Sequence, residues 1–143
     1  MANYKFKDIV KALNAANFFE VNNNGGSHQV YKNFELGLSQ PVPRHAGYNI
    51  ATGTAESILD WVVLAARIQN INIVRDKYKL SDEAKSYIIK RHAEIKANPI
   101  SLIPADVRKQ RHIDTIKDGQ KYLDELAEKH KVIAKNKQQN FDK

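Results

Sequence analysis

The sequence predicts an α+β fold: an α-β-β-β-α unit over residues 1–69, followed by an α-helical C-terminal extension over residues 70–143. Three observations carry this. An amphipathic helical stretch opens the chain, three short β-type segments separated by turn residues follow it, and nothing after residue 69 reads as a strand. Two helices on one face of a small antiparallel sheet are the natural packing of such an order.

The elements follow in turn. From Asn3 to Ala16, Phe6, Ile9, Val10 and Leu13 fall at helical spacing with lysines on the other side, and Asn3 is a reasonable N-cap. Phe18 to Val21 is aromatic and β-branched, a short strand. Asn22-Asn23-Asn24-Gly25-Gly26 tolerates positive φ throughout and reads as a turn. Ser27 to Lys32 alternates and pairs with the first strand as a hairpin. A third strand, Leu36 to Val42, is ended by Pro41 and Pro43. A loop from Arg44 to Gly53 leads to a helix from Thr54, its cap, to Gln69. That helix is apolar most of the way round, so it needs cover beyond the sheet.

In the second half, Ser81-Asp82-Glu83 starts a helix and Asn98-Pro99 stops it, with Ala84, Tyr87, Ile88, Arg91 and Ile95 as a weak stripe. Pro104 suits the first turn of a last helix, in which Ile113, Ile116, Gln120, Leu123, Ala127, His130 and Ala134 recur at spacings of three and four. These stripes are expected to pack back on the helix ending at Gln69, with dimerisation through the same stripe as the alternative.

Composition narrows the function. The 143 residues contain no cysteine, which excludes disulfides, thiolate zinc sites and cysteine nucleophiles. No apolar run approaches the ~20 residues of a membrane span, and no secretory signal opens the chain, so a cytoplasmic protein with no membrane association is expected. The net charge is +7, of which residues 71–143 carry +6. An excess of that size attracts polyanions, nucleic acid above all.

The five histidines are scattered, and no metal-ligand spacing, phosphate loop or carboxylate cluster is present, so neither a metal nor another cofactor is expected. His28 starts the second strand directly after the Asn/Gly turn, where a ligand can approach the backbone. His45 lies in the loop after Pro43-Arg44.

Gly26-Ser27-His28-Gln29-Val30-Tyr31, then Val42-Pro43-Arg44-His45-Ala46-Gly47, then Gly53-Thr54-Ala55-Glu56-Ser57-Ile58-Leu59 occur in this order on the α-β-β-β-α frame. Over about residues 4–69 the chain resembles the HicA family of type II toxin–antitoxin toxins. The resemblance implies a double-stranded-RNA-binding-domain-like fold and a ribosome-independent mRNA endonuclease. It makes His28 the catalytic residue and gives His45 a less settled role. It also implies a HicB-like protein antitoxin as partner beside mRNA.

The chemistry suits a histidine: a base near neutral pKa takes the proton of the ribose 2′-OH, which attacks the adjacent phosphorus without a metal. Gly25, Gly26 and Ser27 would hold a phosphate oxygen through backbone N–H groups. The proton for the leaving 5′-oxygen could come from His45 or Lys32. The alternative is a non-catalytic RNA-binding or protein-interaction module on the same fold. Against a phosphate-gripping RNA binder, Thr54-Ala55-Glu56-Ser57 is neutral to acidic. The chain departs from the family in continuing more than 70 residues past the second helix and in being nearly neutral over its first half.

Overall fold

A computed structural model describes residues 4–21, 28–43 and 49–141. The architecture is α+β. In chain order the elements are β1 (Tyr4–Lys5), α1 (Phe6–Ala15), β2 (Phe19–Val21), β3 (His28–Asn33), β4 (Leu38–Pro43), β5 (Asn49–Ile50) and α2 (Thr52–Ile68). After them come α3 (Asp82–Ala97), α4 (Ala105–Gln110) and α5 (Ile116–Phe141), with 3₁₀ turns at Asp76–Tyr78 and Pro99–Leu102. β2, β3 and β4 form an antiparallel sheet in that order, and β1 pairs with β5 as a separate two-stranded ladder.

That ladder corrects two expectations. The first helix begins at Phe6 rather than Asn3, which lies outside the described residues, because Tyr4 and Lys5 pair with Ile50 and Asn49. Pairing there buries the Tyr4 ring and brings its hydroxyl to Glu56 Oε2 at 3.2 Å. The expected loop from Arg44 to Gly53 contains β5, and α2 starts at Thr52, capped by the Ala51 backbone without a side-chain bond. Thr54 is therefore inside the helix and not its cap.

The third strand also differs. It runs from Leu38 to Pro43 and contains both prolines that were expected to end it. β4 is an edge strand, where the missing N–H of a proline can face away from the ladder. Leu36 belongs to the turn before it, yet is fully buried. Asn33, also buried, fixes that turn by accepting from the Leu36 N–H at 3.0 Å and donating to Ala16 O at 3.0 Å.

Three helices leave by the same device. After α1, α2 and α4, the residues Asn17, Asn70 and His112 adopt φ of 67°, 58° and 54°. In each case the next N–H bonds five residues back: Phe18 to Leu13 O, Ile71 to Ala66 O, and Ile113 to Arg108 O. This is the Schellman turn, which satisfies helix-end carbonyls at the cost of a left-handed residue. Asparagine bears that cost readily, histidine less so. His112→Gly is expected to stabilise the fold by about 1 kcal/mol. Thermal unfolding should show this as a Tm roughly 3 °C higher, and an unchanged or lower Tm would mean that the His112 side chain contributes more than its backbone costs.

The turn at His112 breaks the single helix that the sequence suggested after Pro104 into α4 and α5. Thr115 restarts it, its Oγ1 accepting from the Asp118 N–H at 3.1 Å. The break also rotates the apolar stripe. Ile116 is 65% exposed, and α5 instead buries Gly119, Tyr122 and Leu126. A Cβ on Gly119 would lie 3.2 Å from both Ile100 and Ile103, so the lack of a side chain is what lets α5 lie this close to the 3₁₀ turn.

The core is continuous. α1 and α2 pack together, α2 touches β4, and α3 covers α2 and α1 from the other side, joined by α5. Nearly the whole circumference of α2 is buried, from Ala55 through Ala66. The buried hydrophobic cluster extends through Ile73, Leu80, Ile88, Ile95 and Ile103 to Leu126. Polar ties join the layers. Asp60 of α2 accepts from the Tyr87 hydroxyl at 2.6 Å and lies 3.0 Å from Arg91 Nε of α3. Arg91, itself 8% exposed, also bonds Glu94 and the Ser101 carbonyl. His130 of α5 lies 3.1 Å from Glu35 in the β3–β4 turn.

Candidate functional site

β3 holds two of the residues on which the sequence places the chemistry, His28 and Lys32. Its first residue is His28, whose register partner on β4 is Pro43, the last residue of that strand. Two segments outside the described residues are anchored at this end of the sheet. Residues 22–27 join Val21 of β2 to His28, and residues 44–48 leave from Pro43 toward β5. Gly25, Gly26 and Ser27 fall in the first segment and His45 in the second, so these four lie outside the described residues. The strand ends that flank the glycine-serine-histidine and proline-x-histidine segments are neighbours. Directly opposed residues of antiparallel strands have Cα atoms about 4.5–5.5 Å apart.

Inner-face contacts hold the start of β3. Gln29 Nε2 donates to Glu20 Oε1 of β2 at 2.6 Å, and Gln29 Oε1 accepts from the buried Tyr31 hydroxyl at 3.3 Å. Lys32 is exposed and stands between Phe19 of β2 and Ser39 of β4. It shares the outward face of the strand with Val30, at the end away from His28. At about 3.3 Å per residue, four residues of strand separate positions 28 and 32 by about 13 Å. Lys32 is therefore well separated along the strand from His28.

Beyond this end of the sheet, sequence reasoning missed two groupings of polar residues. The first is the Asp60–Tyr87–Arg91 tie. Burial pushes the Asp60 carboxyl above its usual pKa despite the Tyr87 hydrogen bond and the Arg91 charge, and burial together with Asp60 raises the Tyr87 phenol. These groups face one another across the α2–α3 junction and serve packing. The second lies at the C-terminal end of α2, where Arg67 Nη1 donates to His92 Nδ1 at 3.2 Å. Burial, then Arg67 and Arg91, hold the His92 imidazole below its usual pKa, consistent with a neutral ring accepting at Nδ1. No local pattern marks either grouping, because each is assembled across elements about 25 residues or more apart in the chain. Among the described residues, no three His, Asp or Glu side chains are grouped to hold a metal ion.

The comparison with known families decides what this frame is. Residues 6–61 match the HicA toxin family of bacterial toxin–antitoxin systems. The HicA match begins with α1, takes in the three-stranded sheet and ends at Trp61 within α2. It coincides with the part of the chain that carries the three HicA-like motifs, and it includes His28, Lys32 and His45. The rest of α2 and everything after it lie outside the match. None of the curated proteins and none of the solved structures compared matches the chain. A HicA toxin is one member of a toxin–antitoxin pair, so an antitoxin partner in the general sense comes with the family. Among the described residues, no helix is long and apolar enough to cross a membrane.

Proposed function

We propose that the chain is a cytoplasmic toxin that cleaves mRNA with His28 as general base, without a metal or other cofactor, and that a HicB-like antitoxin restrains it by covering the same end of the sheet. The observation that carries this reading is the register of His28 against Pro43. It brings together the strand ends from which both motif segments spring, within a frame matched by the HicA family.

In this mechanism His28 takes the proton of a ribose 2′-OH. The freed oxygen attacks the adjacent phosphorus, the bond to the 5′-oxygen breaks, and a 2′,3′-cyclic phosphate and a 5′-hydroxyl result. Gly25, Gly26 and Ser27 hold a non-bridging oxygen through backbone N–H groups. The leaving oxygen needs a proton. His45 is favoured over Lys32 as its source, since His45 is two residues from Pro43 in the chain whereas Lys32 is about 13 Å along the strand from His28. Lys32 instead meets a neighbouring phosphate of the same RNA.

The test uses the purified chain and a short RNA in excess EDTA. Cleavage is expected to persist, to leave a 2′,3′-cyclic phosphate, and to fail when the ribose at the cut site is replaced by deoxyribose. Cleavage that EDTA abolishes and Mg²⁺ restores, or that proceeds at the deoxyribose, overturns the mechanism.

A further inference from the structure

Outside the residues matched by the HicA family, an open cleft of about 710 Å³ lies where the C-terminal end of α2, the Asp76–Tyr78 turn and α3 meet. Arg67, Asn70, Arg75, Lys77, Tyr78 and His92 are among the residues that line it. No carboxylate lines it. The one acidic residue of the turn, Asp76, lies 3.7 Å from Lys85. Arg67, Arg75 and Lys77 are all exposed, and none forms an ion pair with a described carboxylate. Lys77 instead sits 5.1 Å from the centre of the Tyr78 ring.

The cleft is built rather than incidental. The Schellman turn at Asn70 ends α2 and sends the chain away from the helix, so that Arg67, in the last turn, stands beside the returning α3. Its size is within the ~300–1,000 Å³ of ligand sites, but such sites are mostly apolar and this one is cationic and open. A compact apolar ligand would gain little there. An extended anion would gain three charges, and would leave the neutral His92 ring to donate from Nε2.

We propose that this cleft binds phosphate groups of a single-stranded RNA, as an anchoring site separate from the His28 end of the sheet. β3 runs between the two: His28 is at one end, while Asn33 at the other bonds Ala16, whose carbonyl also accepts from Gln69 at the end of α2. The choice of RNA rests on the function proposed above, whereas the preference for phosphate rests on the cleft alone.

The experiment measures binding of a fluorescent 2′-O-methyl RNA of about 20 nucleotides to the full chain by anisotropy, across a salt series. The probe cannot undergo attack by a 2′-oxygen, so binding is read whether or not the chain is a nuclease. The triple variant Arg67→Gln, Arg75→Gln, Lys77→Gln is expected to bind at least about tenfold more weakly at low salt, with the slope of log affinity against log salt reduced by roughly 2. A control triple variant, Lys109→Gln, Lys117→Gln, Lys121→Gln, removes the same charge from exposed positions outside the cleft and should retain most of the affinity. Equal loss in both variants, or no loss in the first while its Tm is unchanged, overturns the anchoring site. So does a wild-type chain that does not bind the probe. If the wild-type chain binds through the cleft but does not cleave RNA, the anchoring site stands and the nuclease reading falls. If it cleaves RNA but the cleft variant binds normally, the reverse holds.

Discussion

Replacing His28 with alanine is expected to slow RNA cleavage by ~10²–10⁴-fold, the usual worth of a positioned acid–base group, while leaving the fold intact. The folded state should tolerate the change because position 28 enters the sheet through its backbone. β3 is held by its ladders with β2 and β4 and by Gln29, Tyr31 and Asn33 on the inner face. Expressed without an antitoxin, the wild type should arrest bacterial growth and the variant should not. Cleavage rates, thermal unfolding and growth are the three measurements. A His28→Ala protein with the wild-type Tm and the wild-type cleavage rate would show that the base lies elsewhere.

Ending the chain after Gln69 should cost most or all of the stability. The cut removes α3, which packs on both α1 and α2, and with it the cover of the α2 face that the sheet does not reach. Ile73, Leu80, Ala84, Ile88 and Ile95 belong to the same buried cluster as Leu59, Leu64 and Ala65, so their loss opens one core rather than detaching a second. Each large apolar side chain returned to water forfeits ~1.5–3 kcal/mol, and four or five of them match the whole margin of ~5–15 kcal/mol on which a domain depends. Asp60 would also lose Arg91 and Tyr87 together. Aggregation, or unfolding well below the temperature of the full chain, is the expected result in size-exclusion chromatography and thermal melts. A truncated chain that stays monomeric and as heat-stable as the full one would show the second half to be energetically independent.

The order of the first five main elements was legible because each has a local signal: helical spacing in α1, alternation in the strands, apolar residues round α2. So was α3, where Ser81 Oγ accepts from the Ala84 N–H as a cap should, and where Ala84, Ile88, Arg91 and Ile95 of the stripe are buried and Tyr87 is half-buried. What escaped was long-range or conformational. The pairing of β1 with β5 joins two-residue segments about 45 positions apart, too short for any pattern. The break before α5 depends on a histidine in a left-handed conformation, for which glycine or asparagine is the usual marker. Gly119 carries no sequence signal of its own, since only the packing of the neighbouring turn gives its missing side chain a reason. At the candidate site, His28 stood out by following a glycine-rich turn, and its motif companions carried the family resemblance. The cationic cleft could not be read, since Arg67, Arg75, Lys77 and His92 come together only through the path of the chain.

Pro41 and Pro43 bear on how the protein coexists with copies of itself. β4 is an outer strand, and an outer strand normally presents a row of free N–H and C=O groups to which another chain can add. Tolerance of proline there implies that positions 41 and 43 turn their nitrogens outward, and those nitrogens carry no hydrogen. On that side of the sheet only Ser39, two residues further back in the same alternation, is left to donate. An incoming strand would find acceptors without matching donors over most of the length of β4. Polymerisation by strand addition is thereby closed on this side, and among the described residues the three-residue β2 is the other border of the sheet.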